Sequence, residues 1–210
     1  MEAAAEPVTI ASIVEGHAEV KALPKLLHRM AVLVAPESIL RLPPPHRIPK
    51  SKLLKAGKLE AAVDAAGNKV TGPGGILVLI DADDDCPAQL GPELLKRTLT
   101  ARPDKAIAVV LAKQEFEAWF LAAAPSLAGK RGLPDDLAAP HDPEGIRGAK
   151  EWLTKQRIVS ATFKAPYKPT VDQPALAAVF DPDMARRSSP SFDKLWREVE
   201  RLLGVDRHAK

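Results

Sequence analysis

Two kinds of hydrophobic pattern divide the chain. Short apolar, β-branched runs alternate with longer stretches that repeat an apolar residue every three or four positions. Val8–Val14 (VTIASIV) is of the first kind and stops at Glu15-Gly16, which predicts a buried strand ending in a glycine turn. From His17 to Met30 the spacing becomes helical, with Val20, Leu23, Leu27 and Met30 on one face and Pro24 expected to kink or shorten the helix. Ser38–Leu42 reads as a second strand, ended by Pro43-Pro44-Pro45, whose residues cannot donate to a sheet ladder. Residues 46–50 read as a basic loop. Ser51 then caps a helix to about Ala66, with Leu53, Leu54, Leu59 and Val63 inward, and Gly67 and the Gly72–Gly75 cluster turn the chain.

Ile76–Ile80 (ILVLI) is apolar at every position, the pattern of a central parallel strand buried on both faces. It runs into Asp81-Ala82-Asp83-Asp84-Asp85. A helix near Pro92–Thr100 and a second buried strand, Ala106–Leu111, follow. Gln114–Ala124 reads as helical up to Pro125, residues 125–150 as a long connection, Trp152 as part of a short helix, and residues 164–190 as irregular. The last element is a helix capped by Ser189, opened by Pro190, striped with Phe192, Leu195, Trp196, Val199, Leu202 and Leu203, and ended by Gly204. Alternating strand and helix implies an α/β fold with a mainly parallel central sheet flanked by helices. The expected division is a core over 8–124 and a mostly helical C-terminal extension over 125–210, packed on that core.

Composition supports a folded core, with 46% hydrophobic and 27% charged residues. No apolar run approaches the roughly 18–20 residues that span a bilayer. The start, MEAAAEPVTI, is acidic and lacks the basic and apolar regions of a signal peptide, so a soluble cytoplasmic protein without a membrane partner is expected. Cys86 is the single cysteine, which excludes an intramolecular disulfide and a cysteine-rich zinc site. Net charge is only +3, but it is unevenly spread. Arg41, Arg47, Lys50, Lys52, Lys55 and Lys58 fall in a stretch without acids, whereas Asp81–Asp85 holds four aspartates. Opposite blocks of this kind fit a metal site beside a surface for an anion.

Open α/β sheets gather function beyond the carboxyl ends of their strands. Two such ends carry acids here, Glu15 after the first strand and Asp81 with Asp83 after Ile76–Ile80. Strand alternation would put Asp81 and Asp83 on one face and turn Ala82 away. Carboxylates converging there would repel, and a hard divalent cation relieves that repulsion; Mg²⁺ takes few carboxylates, several waters and phosphate oxygens. Such a site polarises a phosphoryl group and orients a hydroxyl nucleophile.

Glu15-Gly16 ending one strand and Asp81-x-Asp83 ending a buried one resemble the Toprim fold of topoisomerases, bacterial-type primases, recombination proteins and overcoming-lysogenization-defect nucleases. IVEGHAEVKALPKLL, LVLIDADDD, QEFEAWFLA and SPSFDKLWREVERLL together resemble a bacterial Toprim-like family often encoded beside AAA-type ATPases and associated with mobile-element defence. The resemblance implies Mg²⁺- or Mn²⁺-dependent nuclease or nicking chemistry on nucleic acid, with DNA as substrate and an AAA-type ATPase as partner. By position it implies that Glu15, Asp81 and Asp83 bind metal, that Glu19 is an added catalytic acid one helical turn after Glu15, and that Glu115 or Glu117 serves a second metal. In a helix those two would point about 200° apart, so only one would face the site.

The basic residues Arg41, Arg47, Lys50, Lys52 and Lys55 are candidates for a phosphate backbone. A second basic region (Arg147, Lys150, Lys155, Arg157, Lys164, Lys168) has the same two readings, phosphate contact or ordinary solvated surface. Trp119, Trp152, Phe192 and Trp196 read as core, Cys86 as a packed thiol and His17 as a helix cap. Two other functions stay open on sequence alone, a non-catalytic subunit docked to an ATPase and a small-molecule phosphoesterase. The second is weakened because Asp85 stands where such phosphatases carry a threonine.

Overall fold

The computed structural model describes residues 6–159 and 165–205. The fold is α/β, with a parallel central sheet, helices on both faces and a helical C-terminal part. Strand β1 (Val8–Val14) lies between β4 (Gly74–Asp81) and an outer edge shared by two short strands, β2 (Leu40–Arg41) and β3 (His46–Arg47). On the far side β4 pairs with β5 (Ala106–Ala112), and all the pairings are parallel. The expected strand over Ser38–Leu42 is therefore two residues long. Pro43–Pro45 interrupt the edge between Thr9 and Ile13, because they have no N–H to offer, and the chain rejoins β1 at His46 inside the expected basic loop.

Each strand's alternation feeds two apolar layers. Ile10, Val14, Leu77, Leu79, Ala108 and Val110 pack under α1 (Glu19–Val34) and the C-terminal helices. Ala11, Ile13, Ile76, Val78, Ile80, Val109 and Leu111 pack under α2 (Lys50–Leu53), α3 (Lys58–Gly67) and α4 (Pro87–Ala101). Pro24 does not break α1, which continues ten residues past it. The single helix expected from a Ser51 cap is instead α2 and α3, separated where Gly57 takes a left-handed φ of 73° that no helix interior accommodates.

After β5 the expected helix from Gln114 contracts to α5 (Ala118–Ala122), followed by a 3₁₀ turn, Ala124–Leu127, that runs through Pro125. The cause is Gln114, at φ 61°, which turns the chain before the helix begins. Then come α6 (Ala149–Val159), α7 (Pro169–Ala177), α8 (Pro182–Ser188) and α9 (Pro190–Leu202). The prolines that made residues 164–190 look irregular include Pro169 and Pro182, each opening a helix in the first turn, where the missing N–H costs nothing. Ser189 caps α9 as expected, its side chain accepting from Phe192 N.

The C-terminal helices share the core rather than form one of their own. Phe116, Trp119, Phe120, Phe180 and Phe192 make a chain of tilted and edge-to-face contacts with centroids 4.7–5.7 Å apart. Trp119 and Phe192 are fully buried and Trp196 nearly so, while Trp152 is half-buried. Cys86 is exposed, not packed. His17 is exposed and does not cap α1, which has no side-chain cap; the Glu19 carboxylate instead accepts from Gly16 N in the turn that precedes the helix. Among the described residues no helix is long and apolar enough to cross a membrane. Residues 1–5, where the acidic start falls, lie outside the described residues.

Gly74 opens β4 at φ 115°, and an added Cβ would overlap the Thr9 backbone on β1. Gly74→Ala should therefore cost on the order of 2–3 kcal/mol, combining backbone strain with a contact that only strand displacement relieves. Urea unfolding of the variant measures this; a loss under about 0.5 kcal/mol would mean the β1–β4 start accepts a side chain.

Candidate functional site at the carboxyl ends of β1 and β4

Six register pairs run from Thr9↔Gly74 to Val14↔Leu79, so Glu15 falls opposite Ile80 and emerges next to Asp81, one position further along β4. Glu15 Oε2 accepts from Asp81 N at 3.4 Å, a long contact that still fixes the two as neighbours. Asp81 continues the Leu77 and Leu79 parity onto the α1 face, where its Oδ1 accepts from Phe116 N at 2.9 Å. Asp83 does not share that strand face. The strand ends at Asp81, Asp83 turns left-handed at φ 49°, and its side chain is exposed. Asp83 N is held by Gln114 O at 2.9 Å, which links the acidic turn to the turn after β5.

Lys50 explains where Asp83 goes. It is nearly buried, and its Nζ donates to Ala82 O at 2.7 Å and to Asp83 Oδ2 at 2.9 Å, with Asp85 Oδ2 3.0 Å away. Lys50 was expected to face nucleic acid; it is instead a buried clamp on the acidic turn. Of the other basic candidates, Arg41, Lys52 and Lys55 are exposed, and β3 sets Arg47 beside Val14, one residue before Glu15. Asp84 pairs with Arg147 at 2.7 Å on the surface. A polar cleft of about 220 Å³ opens there, lined by Asp83, Asp84, Gln114, Glu115, Arg147 and Gly148.

On the α1 face the C-terminal helices supply the other half. Lys150, in the first turn of α6, bonds both Glu115 oxygens: its backbone N lies 3.2 Å from Oε1, and its Nζ donates to Oε2. The same Nζ is 3.2 Å from Glu117 Oε2, and Tyr167 donates its hydroxyl to Glu117 Oε1 at 3.0 Å. Glu115 and Glu117 therefore converge on one cation, contrary to the expected 200° divergence, because both precede α5 and the Gln114 turn redirects them. Glu19 accepts from Gly16 N at Oε2 and from Gln173 Nε2 of α7 at Oε1, the latter at 3.2 Å. In the second basic region Arg157 is buried against Asp172 at 2.8 Å, and Lys164 lies outside the described residues.

Crowding perturbs these acids. Burial pushes the Asp81 carboxyl well above the usual aspartate range, and the Glu117, Glu19 and Glu15 carboxylates add to this while Lys150 opposes it. Glu15 is raised by burial and by Asp83 and Glu19, against the Asp81 N–H and Lys50. Glu117 is raised to about 7 by burial, with Lys150 and Tyr167 resisting. Burial alone would lower both lysines. Hydrogen bonds to Asp83 and Asp85 outweigh it for Lys50, as the Glu117 and Glu115 charges do for Lys150, so both end raised.

A family model described as a domain of unknown function, DUF4276, matches residues 14–200. The chain belongs to that family. No curated protein matches it, and no solved structure does. The DUF4276 span starts at the last residue of β1 and ends within α9, so it takes in both halves of the site, including Lys150 and Gln173.

The fit of a divalent cation is testable on the oxygens themselves. Among the described residues Glu15 Oε1, Asp81 Oδ2 and Asp83 Oδ1 have no protein partner, whereas both oxygens of Glu19 and Glu115 accept hydrogen bonds; Glu117 Oε2 is buried without a hydrogen bond and has only the Lys150 charge, 3.2 Å away. The donor set is hard oxygen, which suits Mg²⁺ or Mn²⁺. Among the described residues no three acidic, histidine or cysteine side chains are gathered as an ion-binding group, and Asp83 is exposed and paired with Lys50. Seven carboxylates (Glu15, Glu19, Asp81, Asp83, Asp85, Glu115, Glu117) face two lysines, and a dication offsets part of that excess. Lys150, Tyr167 and Gln173 had no local signal that tied them to the acids. Only the path of α6 and α7 brings them there.

Because Glu117 titrates near 7 when folded and near its ordinary 4.5 when unfolded, the native state binds more protons between those values. This group's contribution to stability is thus present at low pH and lost as pH rises through that window. Glu117→Gln removes the loss, so its melting temperature relative to wild type should climb from about pH 5 to about pH 8 in chelator. Thermal melts at both values check this; a pH-independent difference would show that Glu117 is already ionised throughout.

Proposed function

We propose that the chain hydrolyses phosphodiesters of nucleic acid, DNA foremost, with Mg²⁺ or Mn²⁺ held by Glu15, Asp81 and Asp83. The observation that carries this reading is the juxtaposition of β1 and β4, which makes Glu15 and Asp81 neighbours with one unpartnered carboxylate oxygen each, while exposed Asp83 in the turn beyond keeps a third. When bound, the cation supplies a Lewis acid for a phosphoryl oxygen. The chain's own groups do the rest. Asp81 is steadied by Phe116 N, and Glu19 is held beside it by Gly16 and Gln173. Arg47, Lys52 and Lys55 offer positive charge to a phosphate backbone approaching that end of the sheet, whereas Arg41 sits beside Thr9 at the opposite, amino end of β1. Water attacks the backbone phosphate and a P–O bond breaks. The resemblance to Toprim-like nucleases supports the same chemistry and adds an AAA-type ATPase as the partner that controls access to DNA, in mobile-element or phage defence.

Nicking of supercoiled plasmid should require Mg²⁺ or Mn²⁺, with or without a candidate ATPase, and Asp81→Ala should lower it about 100-fold or more, the loss expected when several kcal/mol of charge stabilisation is removed. Gel conversion of supercoiled to open-circular DNA is the readout. Hydrolysis of a small phosphoester with DNA left intact would overturn the nucleic-acid assignment.

A further inference from the structure

The two halves of the acid cluster differ in what already neutralises them. On the β1–β4 side three oxygens stand open, and Lys50 takes only Oδ2 of Asp83 while its other contacts go to Ala82 O and Asp85. On the α1 face both Glu115 oxygens are bonded, and the Lys150 ammonium stands between Glu115 and Glu117, 3.2 Å from a Glu117 Oε2 that has no hydrogen bond of its own. Lys150 reaches both carboxylates with one ammonium and binds Glu115 a second time through its backbone N–H, and Tyr167 takes the remaining Glu117 oxygen. Glu117 is fully buried, so its charge needs a permanent partner from the protein. Lys150 is fixed for that role by its place in the first turn of an eleven-residue helix, and Tyr167 is itself nearly buried.

We infer that the site takes a single divalent cation, and that the Lys150 ammonium stands where a second one would otherwise bind, between Glu115 and Glu117. This rests on the metal reading above. A tethered ammonium carries one charge, three donors and no exchangeable ligand positions, so it neutralises the buried pair without adding a Lewis acid there. Lys150 is thus a positioning residue. It holds Glu115 and Glu117 in place, and its charge also reaches Asp81.

Metal counting separates the possibilities. The full chain, stripped with chelator, is titrated with Mn²⁺, and bound ion is counted by calorimetry and by the loss of the free Mn²⁺ paramagnetic signal. The wild type should take one equivalent. Lys150→Ala should take two, and Lys150→Arg, which keeps the cation, should take one. Circular dichroism and melting establish that each variant is folded, and Lys150→Met serves in place of Lys150→Ala if the smaller side chain unfolds the helix end. Two equivalents in the wild type, or one in folded Lys150→Ala and Lys150→Met, overturn the inference and leave the metal site standing. No Mn²⁺ bound by the wild type overturns the metal site itself, and this inference with it. Wild-type stoichiometry decides between these even without a variant.

Discussion

Like charge at the end of a parallel sheet is the constraint around which the rest of the molecule is arranged. Pairing β1 with β4 in register leaves Glu15 and Asp81 adjacent, and the neighbouring turns place further carboxylates within electrostatic reach of them. Between charges a few ångströms apart and partly removed from water, repulsion amounts to several kcal/mol even at the effective dielectric of a protein surface. The fold offsets it with two lysines from distant parts of the chain. Lys50 closes the acidic turn from the α2 side, and Lys150 closes the Glu115–Glu117 pair from the α6 side. The Lys150 pairing is more than a surface ion pair, because Glu117 is buried and removing the lysine would strand its charge; at the other end Lys50 is itself nearly buried while its partners Asp83 and Asp85 stay exposed.

This accounts for the C-terminal helices. They complete the apolar layer over one sheet face through Phe180, Phe192, Leu195 and Val199. They also bring to the strand ends three polar groups, Lys150, Tyr167 and Gln173, that hold acids belonging to the sheet half. Packing and electrostatics are coupled as a result. The aromatic chain from Phe116 to Phe192 fixes the segment carrying Glu115 and Glu117, and Asp81 is tied to that segment through Phe116 N. A shift in the helices would move the site.

Most of the strand and terminal-helix pattern was legible in the sequence, and so was the pairing of Glu15 with Asp81. Val8–Val14 and Ile76–Ile80 are apolar on both faces, and a strand buried on both faces has one place to go, the centre of a parallel sheet. What misled was local geometry at single residues. Gly57 and Gln114 each adopt positive φ and break helices that hydrophobic spacing alone would continue, and Asp83 does the same where strand alternation would continue. Proline misled in the other direction, since Pro169 and Pro182 begin helices that their presence seemed to forbid.

The sequence by itself determined the layers, the sheet and the acids at its carboxyl end, because periodicity of burial and the reach of a few residues are local properties. Only the tertiary structure decided which cation faces which acid. Lys50 and Lys150 look like their neighbours in the basic stretches, and a lysine among lysines has no periodicity to mark it as buried. Their roles follow from long-range chain paths, Lys50 to Asp83 across 33 residues and Lys150 to Glu115 across 35. Contacts of that span are set by how the helices pack, which no window of sequence contains.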